Sequence, residues 1–161
     1  MKNKMTEKLF ELAYTDSMTE VQNRNAYEER LKKLRKPNAN ISRITVIVVD
    51  VNGLKEINDS YRHFCGDDAI KTVAKALRDT IGLKADIYRI GGDEFVCISE
   101  SNVLPYISQF KDTIYFINNE KLYNLSVSIG YSRFHEKYSK VIDDIICRAD
   151  EKMYKDKKSK K

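Results

Sequence analysis

Two acidic residues follow a pair of glycines near the middle of the chain, in the stretch Arg89–Phe95 (RIGGDEF). The apolar residues on both sides of the glycines favour extended structure. Gly91 and Gly92 can supply the positive φ that a tight two-residue hairpin turn needs. The sequence therefore predicts a β-hairpin that presents Asp93 and Glu94 at its tip, where carboxylates could bind a metal ion or a ligand. A solvated acidic turn would have the same local pattern.

A third acidic residue ends a predicted buried strand. The run Ile44–Val49 (ITVIVV) is almost entirely β-branched, as expected of a strand that is covered on both faces, and Asp50 follows it directly. Ligands of open α/β sheets gather outside the carboxyl ends of the strands, so Asp50 is a candidate site residue. An acidic residue that merely ends a strand is the alternative.

Composition limits the class of protein. The 161 residues fit one domain, and 42% hydrophobic with 33% charged residues is ordinary for a globular protein. No apolar run approaches the ~20 residues that cross a bilayer, and no hydrophobic region follows the basic start, so we expect a cytoplasmic protein without membrane insertion. The scattered Cys65, Cys97 and Cys147 predict reduced thiols rather than a zinc site or disulfides. The net charge of +5 suits an anionic partner, although much of it lies in a lysine-rich tail.

Helices and strands that could position the acidic residues are predicted from the apolar spacing. Helical spacing is found at residues 4–14 and 24–35, in a segment that Asp67 opens and Gly82 ends, at 103–117, and from about Ser139 onward. Residues 125–132 alternate apolar side chains with serine and glycine, which indicates a half-buried strand. Together the elements predict an α/β (α+β) sandwich with a central, mainly antiparallel sheet flanked by helices.

Several motifs in this order resemble the GGDEF family, the diguanylate cyclases. Residues 91–95 match the family signature, and Asp50–Asp59 (DVNGLKEIND) resembles its Asp-x-Asp-x-Phe-Lys-x-x-Asn-Asp motif. His63, Gly66 and Asp67 continue that motif, Asp16–Arg24 resembles the family's first motif, and Ala149–Lys157 resembles its last. The resemblance implies a palm-like nucleotide-cyclase fold with the signature on a β-hairpin. It also divides the chain into an N-terminal helix or linker at 1–14 and a GGDEF domain at 15–161.

The resemblance implies roles for the matching residues. Asp50, the backbone carbonyl of Val51, Asp93 and Glu94 would bind Mg²⁺, with Mn²⁺ as an alternative, and oxygen ligands of this kind suit magnesium. Asp93, Glu94, Arg89 and Asp50 would be catalytic, and Glu94 would be a second metal ligand or help to deprotonate the attacking hydroxyl. The substrate-binding residues would be Gly91, Gly92, Lys55, Lys157 and Lys161, with Asn58 and Asp67 as readers of guanine.

Departures from the family pattern are few. Asn52 stands where a second Asp is common, Arg62 replaces a glycine, and Glu20 replaces a glycine of the first motif. We expect the Asn52 change to spare metal binding and the Glu20 change to alter a turn without touching chemistry. Asn58-Asp59 would also suit a helix end, and for His63 we expect a structural hydrogen bond rather than catalysis.

The function implied by the resemblance is a diguanylate cyclase. Two GTP molecules, one on each subunit of an obligatory homodimer, would condense to cyclic di-GMP and two pyrophosphates. A first alternative is a catalytically weak or inactive regulatory domain that binds GTP. The family pattern would connect an upstream sensory domain, absent from this chain, to the N-terminal segment. A second alternative is a basic nucleic-acid-binding or scaffold module. The acidic and guanine-reading residues favour the cyclase, which needs no nucleic acid.

Many members of the family carry an Arg-x-x-Asp product-inhibition motif shortly before the signature. Gly82–Ala85 (GLKA) takes that place here, without either charge. We therefore expect cyclic di-GMP at low micromolar concentration to leave the initial rate of turnover unchanged, as measured by chromatography of the products. Inhibition in that range would contradict this expectation.

Overall fold

A computed structural model describes residues 3–61 and 63–160, and for His63 the backbone only. The helices in this part of the chain are α1 (Lys4–Tyr14), α2 (Arg24–Leu34), α3 (Leu54–Tyr61), α4 (His63–Asp79), α5 (Leu104–Asn118) and α6 (Ile142–Ser159), with a 3₁₀ turn at Ile81–Leu83. The strands are β1 (Thr45–Val51), β2 (Asp86–Arg89), β3 (Glu94–Ser99) and β4 (Val127–Arg133). None of these helices has the length and apolar character required to span a bilayer.

The four described strands form one sheet in the order β2-β3-β1-β4. All three pairings are antiparallel, which confirms the predicted sheet. The β-branched strand β1 lies inside the sheet and is buried along its whole length. Its carboxyl end therefore meets the start of β3 on one side and the start of β4 on the other.

Helices cover both faces of the sheet and create two apolar cores. Ile47 and Val49 of β1 face a core that includes the buried residues of α4 and α5. Val46 and Val48 face the opposite core, with the apolar residues of α2 and α6. This is the sandwich predicted from the sequence, and the alternation along β1 follows from the two-residue period of a strand.

Helix α1 forms as predicted, and the Asn3 side chain caps its N-terminus. None of its residues is buried, however, and Met5, Leu9, Phe10 and Leu12 are 60–70% exposed. Its apolar face therefore does not contribute to either core.

The start of α4 and the environment of β4 differ from the predictions. Helix α4 begins at His63, so Asp67 lies in its second turn, and the helix ends at Asp79, before Gly82. The prediction that β4 is half-buried is wrong for most of the strand, because Ser128 and Ser132 are buried as well as Val127 and Ile129, and of the predicted apolar residues in β4 Tyr131 is exposed. The reason is α6, which packs directly on the serine face and brings its backbone against Gly130.

The turn of the first motif is closed by a hydrogen bond from the residue that stands in place of the family's glycine. Glu20 has φ of 62°, in the left-handed region that favours glycine, and its N–H donates to the carbonyl of Asp16 at 2.8 Å. Arg78 binds this turn through the Thr19 carbonyl at 2.5 Å and the Glu20 carboxylate at 3.1 Å. Glutamate thus adopts a conformation that favours glycine, and the expectation that the turn is altered stays a prediction.

We predict that Gly130→Ala destabilises the protein. A Cβ at this position would overlap the backbone of Ala149 and Met153 in α6. The helix would have to move away from the sheet, which costs about 1–3 kcal/mol of unfolding free energy. Urea denaturation measures the change.

Gly92→Ala is the matched control for this substitution, because a Cβ there has no heavy atom within 4 Å. It should leave the unfolding free energy unchanged or raise it by about 0.5 kcal/mol. Equal stabilities of the Gly130→Ala variant and the wild type would refute the close approach of α6.

Candidate active site

The glycine signature lies on a hairpin with a longer turn than the sequence predicts. Strands β2 and β3 are joined by residues 90–93, and the N–H groups of Ile90 and Gly91 donate to the carbonyl of Glu94 at 3.0 and 3.4 Å. Among the described glycines only Gly53 has a positive φ, so the prediction of a tight two-residue turn is wrong. Gly91 and Gly92 are exposed, and Gly92 leaves the space above the loop free for a ligand.

The strand register brings the acidic residues together. Asp50 in β1 lies opposite Glu94, the first residue of β3. The N–H of Val51 donates to the carbonyl of Asp93 at 2.9 Å, which fixes the hairpin loop against the end of β1. The structure thus confirms that Asp50 lies beside the hairpin, and it places the predicted metal ligands at one edge of the sheet.

Negative charge is concentrated at this edge, which we call the acidic edge and which is formed by Asp50, Asp93 and Glu94. Burial raises the pKa of Asp50; a hydrogen bond from Lys157 opposes the rise and the charge of Asp93 adds to it. Burial also raises the pKa of Glu94, together with the charges of Asp150, Asp50 and Asp93. Carboxylates that destabilise one another in this way gain from a bound cation, so raised pKa values in a cleft indicate a functional site.

Lys157 supplies a positive charge to this edge from the far end of the chain. Its Nζ donates to Oδ1 of Asp50 at 2.8 Å, and the Asp50 side chain is only 11% exposed. The hydrogen bond to Asp50 raises the pKa of Lys157. The residue that the resemblance assigns to the substrate phosphates therefore lies against the first of the predicted metal ligands.

The donor set fits a magnesium ion that is completed by a phosphate ligand. Within residues 3–61 and 63–160, no three His, Cys, Asp or Glu side chains converge into a full metal cage. Magnesium is usually held by one or two carboxylates together with substrate phosphates and water, and it does not need such a cage. Asp50, Asp93 and the carbonyl of Val51 supply hard oxygen ligands of the required kind.

A cavity of about 590 Å³ opens beside the acidic residues. It lies between the end of β1, helix α3 and the last turns of α6, and its lining includes Asp93, Lys55 and Lys157. This volume is within the range of ligand sites, about 300–1,000 Å³. Lys55 is exposed at its rim, and the side chain of Lys160 also faces it.

The predicted guanine readers lie on neighbouring helices. Asn58 is inside α3, so the alternative that it ends a helix is wrong. Its Oδ1 is buried with no hydrogen-bond partner among the described residues, and its amide occupies the space that a Cβ of Gly66 would fill. Asp67, the next residue along α4, is exposed. Gly66, the residue before Asp67, has no side chain and thus allows α3 to bring Asn58 close to α4 at this point.

Two predicted residues and one side chain cannot be placed. Lys161, assigned to the phosphates, and Arg62 lie outside the described residues, and so does the side chain of His63. Their roles stay predictions.

Arg89 braces the hairpin through Asp16. Its Nη1 donates to Oδ1 of Asp16 at 3.1 Å, and its Nη2 donates to the carbonyl of Gly92 at 2.8 Å. Asp16 also accepts from the N–H of Thr19 at 3.0 Å and from its hydroxyl at 2.6 Å. The first motif therefore holds the signature loop, a connection that local sequence reasoning could not find because 73 residues separate Asp16 from Arg89.

The neutral side chain of Asn52, which follows β1, is hydrogen-bonded to residues at the start of β4. Its Nδ2 donates to Oγ of Ser126 at 2.9 Å, and its Oδ1 accepts from the hydroxyl of Ser128 at 2.7 Å. The amide thus uses both its donor and its acceptor in this link. The substitution of the family's aspartate is accommodated by the two serines.

An antiparallel sheet covered by helices, with clustered carboxylates and a lysine beside a cavity at the end of a buried strand, is the arrangement expected of the family whose motifs the sequence carries. The family model described as "Diguanylate cyclase, GGDEF domain" matches residues 13–161. The chain belongs to the GGDEF family.

Relatives of the chain are larger proteins. It is 31% identical over 153 residues to the probable diguanylate cyclase DgcI of Escherichia coli, covering 94% of this chain and 33% of that protein. It is also 31% identical over 170 residues to a diguanylate cyclase of Vibrio cholerae, covering 96% of this chain and 50% of that protein. The chain thus spans a third to a half of the length of these relatives.

Solved structures confirm the fold. The coiled-coil and GGDEF domain of DgcB from Caulobacter crescentus, in complex with c-di-GMP, superposes with a TM-score of 0.80 at 21% identity. The match covers 97% of this chain and 86% of that one. The diguanylate cyclase SiaD of Pseudomonas aeruginosa, in complex with its activator SiaC, gives a TM-score of 0.79 at 20% identity over 96% of this chain and 62% of that one.

We predict that the brace between Asp16 and Arg89 stabilises the fold at neutral pH. Burial alone would raise the pKa of Asp16, but hydrogen bonds from Thr19 and Arg89 outweigh it and hold the pKa below its ordinary value of 3.8. A carboxyl group whose pKa is lowered by folding stabilises the folded protein when the pH is above the ordinary pKa. This stabilisation is lost as the pH falls through the pKa of the folded protein. Asp16→Asn should therefore lower the unfolding free energy by about 1–2 kcal/mol at neutral pH.

Urea denaturation across the acidic range tests this prediction. The difference between the wild type and Asp16→Asn should shrink as the pH falls below 3.8. Asp112→Asn, at an exposed position of α5, is the control and should have no effect. A difference that stays constant with pH would show that the Asp16 charge is not responsible.

Proposed function

We propose that this chain is a diguanylate cyclase domain that condenses two GTP molecules into cyclic di-GMP and two pyrophosphates. The observation that carries the proposal is the convergence of Asp50, Asp93 and Glu94 with Lys157 beside a nucleotide-sized cavity. Membership of the GGDEF family supports the same reaction. In the reaction, each 3′-hydroxyl attacks the α-phosphorus of the other GTP, and the bond to the leaving pyrophosphate breaks.

The acidic edge would hold the divalent cation. Asp50, Asp93 and the carbonyl of Val51 are the proposed ligands, with Glu94 as a further one, and Mg²⁺ is the proposed ion. When bound, it would supply Lewis acidity to the attacking hydroxyl and neutralise charge on the pyrophosphate. Mn²⁺ has a similar preference for oxygen ligands and would substitute.

The remaining residues would bind and orient GTP. Lys157 and Lys55 are placed to neutralise the triphosphate, and Glu94, whose pKa burial raises, could take the proton of the attacking hydroxyl. Arg89 is proposed to keep the Gly91-Gly92 loop in position rather than to contact phosphate, because its guanidinium binds Asp16 and Gly92.

Guanine would be read by Asp67 and Asn58. The carboxylate of Asp67 can accept from N1–H and the 2-amino group of guanine, whereas adenine presents an acceptor at N1 and has no 2-amino group. Asn58 would be a further hydrogen-bonding group for the base once its side chain turns, because its unpartnered Oδ1 is buried against Gly66. Polar groups left unpaired by the wrong base make such discrimination steep.

The reaction requires two copies of the domain. One subunit binds one GTP, so the two reacting nucleotides must meet across a homodimer, and activity should rise faster than linearly with protein concentration. The chain spans only part of the length of its relatives. We therefore propose that, in a longer protein, a sensory or dimerising segment precedes the linker at 1–14. GTP is a cytoplasmic nucleotide, which places the proposed reaction in the cytoplasm.

A regulatory domain that binds GTP without turnover is the second candidate. The observation that favours it is the engagement of Asp50 by Lys157, which leaves less of the carboxylate available to a cation. Such a domain would retain the cavity and the guanine readers but form no product. Nothing in the described structure favours the nucleic-acid alternative.

Product analysis tests the proposed function. We expect purified protein at high concentration, incubated with GTP and Mg²⁺, to form cyclic di-GMP detectable by chromatography. Asp93→Asn should lower the rate by more than about 100-fold, because a weakened metal site loses several kcal/mol of transition-state stabilisation. Asp112→Asn, exposed on α5 and away from the site, is the matched control.

The negative result is also informative. If the wild type binds GTP but forms no product, even when a fused coiled coil enforces dimerisation, the cyclase proposal fails and the regulatory candidate replaces it.

A further inference from the structure

Apolar packing does not fix the last turns of α6. The buried residues of this helix are Ile142, Ile145, Ala149 and Met153. Beyond Met153, only Asp156 and Lys157 are even half-buried in the described helix. Lys157 therefore lies about one helical turn past the end of the hydrophobic contact. Some other interaction must hold this turn against the sheet for Lys157 to reach Asp50.

Polar side chains of α6 bind the outer edge of β4 at regular intervals. Lys152 donates to the carbonyl of Tyr131 at 3.1 Å, and Asp156 accepts from the N–H of Ile129 at 2.8 Å. Lys160 donates to the carbonyl of Val127 at 2.6 Å. Successive contacts are four residues apart on the helix and two apart on the strand.

The geometry of the two elements explains this match. Four helical residues rise about 6 Å and two strand residues about 6.7 Å, so side chains one turn apart meet successive outward-facing backbone groups of the strand. Lys160 also binds Asp156 directly, Nζ to Oδ2 at 2.8 Å. We call Lys152, Asp156 and Lys160 the edge clamp. Of these three residues, Asp156 is the one that is next to Lys157 in the chain.

We propose that Asp156 is a positioning residue that holds the last turn of α6 on β4, so that Lys157 faces Asp50 and the phosphates of the nucleotide. The part that concerns the nucleotide rests on the proposed function. Asp156 departs from the family's last motif, Ala-Asp-x-Ala-Leu-Tyr-x-Ala-Lys, which has alanine at this position. Asp156 itself does not line the cavity, but it binds Lys160, which does, so its effect would be exerted through its neighbour Lys157 and through Lys160.

A purely structural role is the alternative. Strand β4 is at the edge of the sheet, and its free backbone groups could pair with another chain unless they are covered. The edge clamp would then only protect this edge. In that case removing it would promote self-association without changing the environment of Lys157.

Chemical labelling of lysines distinguishes the two roles without relying on any enzymatic activity. The full chain is treated briefly with acetic anhydride, and mass spectrometry gives the labelling rate of Lys157. We expect Asp156→Ala to raise this rate about fivefold, because the hydrogen bond from Lys157 to Asp50, which protects the amine of Lys157, is then broken for part of the time. Asp156→Asn should stay close to the wild type, since its amide oxygen can still accept from Ile129.

Two further variants sharpen the test. Asp143→Ala removes an ion pair with Arg35 of 2.7 Å at the other end of α6, and it should leave the labelling of Lys157 unchanged. Lys160→Met removes one partner of Asp156 and should give an intermediate rate. Unchanged labelling of Lys157 in Asp156→Ala, with or without self-association, would overturn the proposal.

Binding of GTP with Mg²⁺, measured by calorimetry, tests the consequence for the site. Asp156→Ala should raise the dissociation constant about tenfold, whereas Asp156→Asn should restore most of the affinity and Asp143→Ala should match the wild type. If the labelling of Lys157 changes as expected but no variant, including the wild type, binds GTP, the positioning by Asp156 holds and the proposed function fails. If the wild type binds GTP, and Asp156→Ala changes the labelling of Lys157 but not the dissociation constant for GTP, the role of Asp156 toward the nucleotide is refuted.

Discussion

The register between β1 and β3 is the constraint on which the site depends. A shift by one residue would exchange the two faces of β1 and would separate Asp50 from Glu94. The shift is opposed because both faces of β1 are covered, so Val46 and Val48 would have to leave one core as Ile47 and Val49 left the other. The acidic residues repel one another, and the two hydrophobic cores supply the free energy that keeps them together.

Two charges that folding buries near the acidic edge, Asp50 and Arg89, have partners from distant parts of the chain. Asp50 in the sheet is bound by Lys157 of the last helix, and Arg89 in the hairpin is bound by Asp16 near the N-terminus. A buried charge that lost its partner would be strongly destabilising, so these pairs tie the beginning and the end of the domain to its centre. Asp50, a proposed cation ligand, is therefore paired only when the last helix has packed onto the sheet.

The periodic elements could be predicted from the sequence, and the long-range polar contacts could not. The β-branched run of β1, the hairpin and the amphipathic helices carry local signals, and each is present in the structure. The burial of Ser128 depends on where α6 packs, and the partners Asp16 and Arg89 are far apart in sequence. The φ angles of Gly91 and Gly92 depend on a four-residue loop that glycine content alone does not specify. For the site residues, the motifs could be recognised, but the contact between Lys157 and Asp50 required the three-dimensional structure.

The close approach of α6 at Gly130 determines where the site can adapt. With the helix backbone against the strand backbone, no compressible layer of side chains separates them at this point, and the helix cannot tilt inward. Under the proposed function, adjustment to nucleotides of different shape would come from rotations about the four-carbon stems of the lysines at the cavity, Lys55, Lys157 and Lys160. The proposed site would thereby combine a rigid backbone with flexible lysine side chains.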